Sequence, residues 1–377
     1  MSNDEVYLDC AASAPVTDEV LQFLTQQYKK KLGNSSSIHR SGVQATVELE
    51  KARQKIANII HCQPDEIYFT SGATESNNLA LKGLLNNQLQ TNDEIIISNF
   101  EHSSILQVAL SLAKQGIVIK KAPVNSEGLI LIDQLEKLMT DRTQLVSIVH
   151  ANSEIGVIQN LAEIGRLCQK RNIIFHSDGA QAFCKTSIDV QTMNLDMYSI
   201  SGHKIHAPKG VGAIYIRNGL QVYPQLEGGG HESGMRSGTV AVETITSLAY
   251  AAGLYSAEKI QKLKSLQNFL VQELKDNFPS LRIHGSLEFR ICSQLNFAIP
   301  GLNGKTLLKA LDAEGIRVSV GSACQSGKKS ASATLKAIGL TDDQAFEALR
   351  VSWGLESTEN DIIKLIQCLK KANESNS

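Results

Sequence analysis

The feature that most constrains this chain is an alternation of short apolar, β-branched runs with segments of helical spacing. The runs are EIYFT (66–70), EIIIS (94–98), GIVIK (116–120), LVSIVH (145–150), NIIFHS (172–177), MYSIS (197–201) and GAIYIR (212–217). Stretches such as SILQVALSLAKQ and NLAEIGRLCQKR lie between them, and VQATVELEKARQKIANII, from about residue 44, has apolar residues at helical spacing. Strand alternating with helix predicts an α/β fold whose mostly parallel, seven-stranded sheet is covered by helices on both faces. After Gly253 the pattern changes. AEKIQKLKSLQNFLVQELKDNF (257–278) sets Ile260, Leu263, Leu266, Phe269, Leu270 and Leu274 on one stripe, which predicts a long helix. LRIHG, SQLNFAI, IRVSV and LRVSW then alternate with further helices, the mark of a smaller α+β unit. A chain of 377 residues is long for one core. The expected division is a large domain over 14–256 and a small domain built from 1–13 and 257–377. The polar tail KKANESNS is expected to fray.

Charge and cysteine usage exclude several function classes. The formal net charge is -1, so no overall basic field draws nucleic acid or anionic lipid. No apolar run approaches the roughly 18 residues of a membrane span. The start, MSNDEVYLDC, lacks a basic region followed by an apolar one, and a cytoplasmic location is expected. Seven cysteines, with no C-x-x-C pair, point to free thiols in a reducing compartment and to no metal site. Most should be small core hydrophobes; one should be reactive.

Ligands in parallel sheets collect at the carboxyl ends of strands. IIFHSDGAQA puts Asp178 just past one apolar run, with Gln181 three residues on; MYSISGHK puts Ser201, His203 and Lys204 past another. YFTSGATESNN runs from strand through Ser71, Gly72, Ala73 and Thr74 into a helix start. Such a turn presents free backbone N–H groups and a positive dipole end to a phosphate. Neither G-x-x-x-x-G-K-[ST] nor G-x-G-x-x-G is present, so the phosphate belongs to something smaller than ATP or NAD. Each feature alone reads as a cap, a surface pair or a tight turn. Together, an imine-forming lysine, an aspartate for a pyridine nitrogen and a phosphate turn describe pyridoxal phosphate. His102, after the run 94–98, is placed to stack on its ring.

The segments YFTSGATESNNLALKG, EHSSIL, HANSEIGVIQN, SGHKIHAPKGVGAIYIR, GGGHESGMRSGT and VSVGSACQSG together resemble the cysteine desulfurases of the NifS/IscS type. These are pyridoxal-phosphate enzymes of the class V aminotransferase group, fold type I, and the likeness runs from about Tyr7 to Gly354. Such enzymes take sulfur from L-cysteine, hold it as a persulfide on an enzyme cysteine and release L-alanine. The resemblance implies that Lys204 holds the cofactor covalently and that His102 stacks on it and handles protons. It implies Asp178 at the ring nitrogen and Gln181 at the phenolic oxygen. Ala73, Thr74, Ser201, Gly202 and His203 match the phosphate cradle. Thr239 matches a phosphate contact from the other subunit of a homodimer. Arg350 and Asn34 match groups around the substrate carboxylate. Cys324 matches the nucleophile, and its setting, SVGSACQSGKKSASATL, is small, polar and basic, where a thiol gains thiolate character. Cys62, Cys168 and Cys368 fit helix patterns as packing residues.

This chain departs from the pattern at three places. HANSEIG carries Ser153 where the family has a second asparagine by the cofactor, so a shorter, water-bridged contact and a weaker KM for cysteine are expected. YLDCAASAP introduces Cys10, read as a packing residue near the domain junction. KSASATL replaces LEPSxVL after Cys324. A sulfur acceptor is implied, an iron–sulfur scaffold or a tRNA-thiolation protein, without a sequence feature to choose between them. The alternatives on the same frame are a cysteine or cystine C–S lyase, a selenocysteine lyase or an aminotransferase. A sulfur-relay subunit without efficient catalysis is the reading from a different class.

Overall fold

The computed structural model describes residues 5–84, 89–321 and 331–374. After β1 (Val6–Tyr7) come helices α1 (Asp18–Lys29) and α2 (Arg40–Ile60). Strand β2 (Ile67–Thr70) leads into α3 (Ala73–Lys82), β3 (Glu94–Ser98) into α4 (Ser103–Ala113), and β4 (Val118–Ala122) into α5 (Ile132–Leu138). β5 (Thr143–Ser147) is followed by α6 (Leu161–Lys170), then β6 (Ile174–Asp178), β7 (Met197–Ser201) and β8 (Gly212–Ile216). Helices α7 (Val242–Ala252) and α8 (Ala257–Asn277) lead to β9 (Arg282–Ile283), β10 (Gln294–Ala298), α9 (Gly304–Ala313) and β11 (Ile316–Arg317). Helices α10 (Ala333–Ala337) and α11 (Asp342–Phe346), strand β12 (Ala348–Ser352) and α12 (Glu359–Glu374) complete the described chain.

The central sheet has seven strands in the order β2-β8-β7-β6-β5-β3-β4. Strands β3 to β7 pair in parallel, and β8 runs antiparallel to both neighbours. Because β8 reverses twice, β2 points the same way as β7, and the carboxyl ends of β2, β3, β5, β6 and β7 share one edge. β3, β7 and β8 are buried at all five positions, which explains their unbroken apolar runs. Alternate residues serve opposite faces: Ile95 and Ile97 pack with α3 and α4, whereas Ile96 joins the core shared by α2, α6 and α7.

A separate core gathers Val6 and Leu8 with α8, α9, α12 and the strands β10 and β12. Its residues come from 6–8 and 263–369, with Trp353 buried among them. Helices α10 and α11 instead send Leu335, Ile338 and Ala345 into the first core, tying the two together. The run GIVIK forms its strand two residues later than read, at 118–122, because Gly116 turns with φ 90°. The tail expected to fray is helical through Glu374, since Leu369 is fully buried against the second core.

Candidate active site

The shared carboxyl edge of the sheet opens into a cavity of about 350 Å³. Its floor begins where β2 enters α3. Gly72 sits at φ 144°, ψ 177°, a backbone open only to glycine, and no side chain caps the helix behind it. Gly212 of β8 approaches so closely that a Cβ there would lie 2.6 Å from the Gly72 Cα. The N–H groups starting α3, at Ala73 and Thr74, therefore present an uncapped positive end to the cavity. Ser201 lines the same wall, and His203, whose Nδ1 lies 3.2 Å from Ser13 Oγ, stands beside it. Burial, reinforced by Lys204, pushes the His203 imidazole down to about 4. Gly202 is held tight against Val211, which a Cβ would meet at 2.9 Å.

Asp178 ends β6, only 3% exposed. Its Oδ2 accepts from Asn77 Nδ2 at 2.7 Å and its Oδ1 from the Ala180 N–H at 2.9 Å, which keeps a carboxylate aimed at the cavity. Lys204 Nζ donates to the carbonyls of Ala11 and Ala12 at 2.7 and 2.8 Å, and Gln181 Nε2 donates to Ala11 at 2.8 Å. Gln181 Oε1 is buried without a hydrogen-bond partner among the described residues. His102 caps α4 and lines the cavity, with Nδ1 2.8 Å from Ser104 Oγ. Burial holds its pKa below the ordinary value; Lys204 pushes the same way and Asp178 opposes.

The far end of the cavity is cationic. Arg350, 3% exposed on β12, donates from Nη2 to Asp9 Oδ1 at 2.7 Å and from Nη1 to the Ser153 carbonyl at 3.0 Å. Its Nε is buried without a hydrogen-bond partner among the described residues. Ser153 itself lines the cavity.

Lys204, Asp178, Gln181, His102, Ala73, Thr74, Ser201, His203, Ser153 and Arg350 are thus brought around one space. Three predicted residues are not: Gly202, packed behind the wall against Val211, does not line the cavity, and Asn34 and Thr239 lie away from it. Asn34 is exposed, its Oδ1 accepting from the Ser36 N–H at 2.9 Å, and Thr239 is exposed off the cavity of its own chain. Cys324 lies outside the described residues. Cys10 is buried, with Sγ 3.1 Å from where a Gly354 Cβ would stand, and burial pushes its thiol up to about 12. Burial also pushes Cys62 and Cys168 up to about 12, as suits packing residues. Sequence reasoning missed Asp9, Asn77, Ser104 and Glu101. Glu101 accepts from Ser98 Oγ at 2.5 Å and the Val149 N–H at 2.8 Å, and burial raises its carboxyl to about 8. Among the described residues no group of three or more His, Cys, Asp or Glu could hold a metal ion.

These donors suit pyridoxal phosphate. The uncapped helix end matches its phosphate, the fixed carboxylate its ring nitrogen, the lysine its aldehyde, and the orphaned Gln181 amide oxygen marks a place made for a polar ligand. The volume is within the range of small-molecule sites.

Comparison with known proteins agrees. The aminotransferase class-V family matches residues 6–365. A cysteine desulfurase IscS of Clostridium botulinum is 36% identical, over 98% of this chain and 94% of that one. A solved NifS-like protein superposes with a TM-score of 0.91 at 33% identity, covering 98% of this chain and 100% of the other. A structure of SspA in complex with cysteine gives a TM-score of 0.84 at 33% identity, covering 93% and 99%. Members of this family depend on pyridoxal phosphate. Fold, cavity and full-length likeness converge: the chain belongs to the aminotransferase class-V family, among its cysteine desulfurases of the NifS/IscS type.

Proposed function

We propose that this chain is a pyridoxal-phosphate-dependent cysteine desulfurase that converts L-cysteine to L-alanine and takes the sulfur onto Cys324. The observation that carries the reading is the meeting of Lys204, Asp178, His102 and Arg350 around one cavity. The cofactor, when bound, supplies an electron sink that lets the substrate's α-proton leave and its carbon–sulfur bond break. Ala73, Thr74, Ser201, Gly202 and His203 would hold its phosphate, Asp178 its ring nitrogen, and Lys204 its aldehyde carbon. Arg350, held by Asp9, orients the substrate carboxylate through its guanidinium edge. Lys204 Nζ, at the cavity wall, would also be the base that takes the substrate's α-proton. Cys324 thiolate attacks the substrate sulfur; the new S–S bond forms as the C–S bond breaks, and protonation of the carbon product yields alanine.

A homodimer belongs to this reading. Leu21, Tyr28, Val43 and Val47 of α1 and α2 are exposed, and Ile38 is 98% exposed, which supports a covering second copy that would bring Thr239 to the phosphate. The division into a large domain over 14–256 and a small domain from 1–13 and 257–377 is part of this reading; the second core, drawn from 6–8 and 263–369, supports it, while Leu335, Ile338 and Ala345 cross over to the first. No helix among the described residues is long and apolar enough to cross a membrane, and we assign the protein to the cytoplasm, serving an iron–sulfur scaffold or a tRNA-thiolation protein.

The test is turnover of L-cysteine with reductant present. Alanine and sulfide should appear in equal amounts, and Cys324→Ala should abolish both while the cofactor absorbance stays. Pyruvate and ammonia as products, or sulfide release undiminished in Cys324→Ala, would instead make the protein a C–S lyase.

A further inference from the structure

In the wall of the cavity a chain of polar groups runs from Asp178 to His102 through Asn77 and Ser104, two residues that the proposed reaction has not used. Asn77 Nδ2 donates to Asp178 Oδ2 at 2.7 Å and to Ser104 Oγ at 2.8 Å. Ser104 Oγ in turn lies 2.8 Å from His102 Nδ1. Asn77 is fully buried and Ser104 is 9% exposed, so water does not compete for these bonds.

The direction of every bond is fixed by chemistry. The Asn77 amide cannot be turned over, because Oδ1 would then face the Asp178 carboxylate, acceptor against acceptor. Its two amide protons therefore go to Asp178 and to Ser104. Ser104 Oγ, already accepting, has its own proton left for His102 Nδ1. The Ser104 backbone N–H also points to Nδ1, at 3.2 Å, and a backbone N–H only donates. Nδ1 is thus an acceptor twice over, and the ring proton sits on Nε2.

We propose that Asn77 and Ser104 are positioning residues that tie His102 to the charge of Asp178 and lock it as the Nε2–H tautomer. His102 then meets bound substrate as a hydrogen-bond donor and does not act as a base through Nδ1. The substrate half of this statement rests on the desulfurase reading; the tautomer lock does not. Taking a proton on Nδ1 would set it against two N–H and O–H donors. Among the described residues, Lys204 disfavours a second ring proton and Asp178 favours one, and the neighbouring His203 is held neutral.

The lock is read directly by ring-nitrogen NMR of protein labelled with ¹⁵N-histidine, with and without cofactor, His102→Gln identifying the signals. Wild-type protein should carry the proton on Nε2 and leave Nδ1 bare. Ser104→Ala should raise the His102 titration midpoint by about half a unit or more, the size of one modest hydrogen bond. It should also lower kcat three- to tenfold (roughly that same bond) with KM for cysteine unchanged. Ser104→Thr should restore both. A wild-type proton on Nδ1, or a midpoint unmoved in Ser104→Ala, overturns the proposal, and the wild-type measurement decides even if a variant fails to fold. Absence of alanine production would sink the desulfurase reading while leaving the NMR result to judge the lock.

Discussion

At position 153 the NifS/IscS-type pattern has an asparagine and this chain a serine. The serine carbonyl still serves the site, accepting from Arg350 Nη1 at 3.0 Å and from Gln294 Nε2 at 2.9 Å, but its hydroxyl is too short to replace an amide. Ser153→Asn should therefore lower KM for cysteine about three- to tenfold, the strength of one added hydrogen bond. Steady-state kinetics showing no gain would contradict that role. Arg350 holds Asp9 through Nη2 and the Ser153 carbonyl through Nη1, which fixes the plane of its guanidinium at the cavity wall. Lysine cannot reproduce a planar fork. Arg350→Lys should raise KM by about ten- to a hundredfold, the cost of a charge-assisted hydrogen bond of about 1.5–3 kcal/mol, with the cofactor spectrum intact.

At the scale of elements, the entry from β2 into α3 is the most exposed to test. Gly72 holds φ 144°, ψ 177°, and a Cβ there meets only Ser201 Oγ at 3.9 Å, so the penalty for alanine is conformational and not steric. Gly72→Ala should cost about 1–3 kcal/mol of strain and turn the α3 N–H groups away from the phosphate. The cofactor dissociation constant, followed by fluorescence, should rise; an unchanged constant would mean the turn does not cradle it. Residues of this kind were legible in the sequence because each stands at or just past the end of an apolar run: Asp178 ends β6, Lys204 lies three residues beyond β7, and Ser71 to Thr74 follow β2. Asp9, Asn77 and Ser104 were not legible. Asp9 meets a partner 341 positions away, and Asn77 reaches Ser104 across 27, so no local spacing announces them. The strand at 118–122 was misplaced for a different reason. It is the sheet's edge, carries Lys120 and Lys121, and so lacks the continuous apolar run that marks its buried neighbours.

For the whole molecule, the buried imidazoles set the response to acid. His176 bridges Ser147 and Ser199 at 2.8 and 3.0 Å across three strands, and His150 holds Tyr198 at 2.9 Å; burial pushes both rings down to about 3. His203 and His206 are pushed down to about 4. Below pH 6.5 the unfolded chain takes up these protons while the folded one refuses them, so stability is lost as pH falls. Glu101, holding its proton to about 8, acts oppositely above pH 4.5, as does Glu154 in direction, but four imidazoles outweigh them. The melting temperature should therefore drop between pH 6.5 and 4.5, with a shallower slope in His176→Asn; a flat profile would contradict the assignment. The two cores, the shared strand edge and the cavity all place one amine at the centre of the account. Reducing the cofactor-loaded protein with borohydride and mapping the modified peptide by mass tests that most directly. Pyridoxal phosphate should be found fixed to Lys204; attachment to another lysine, or to none, would remove that amine from the chemistry.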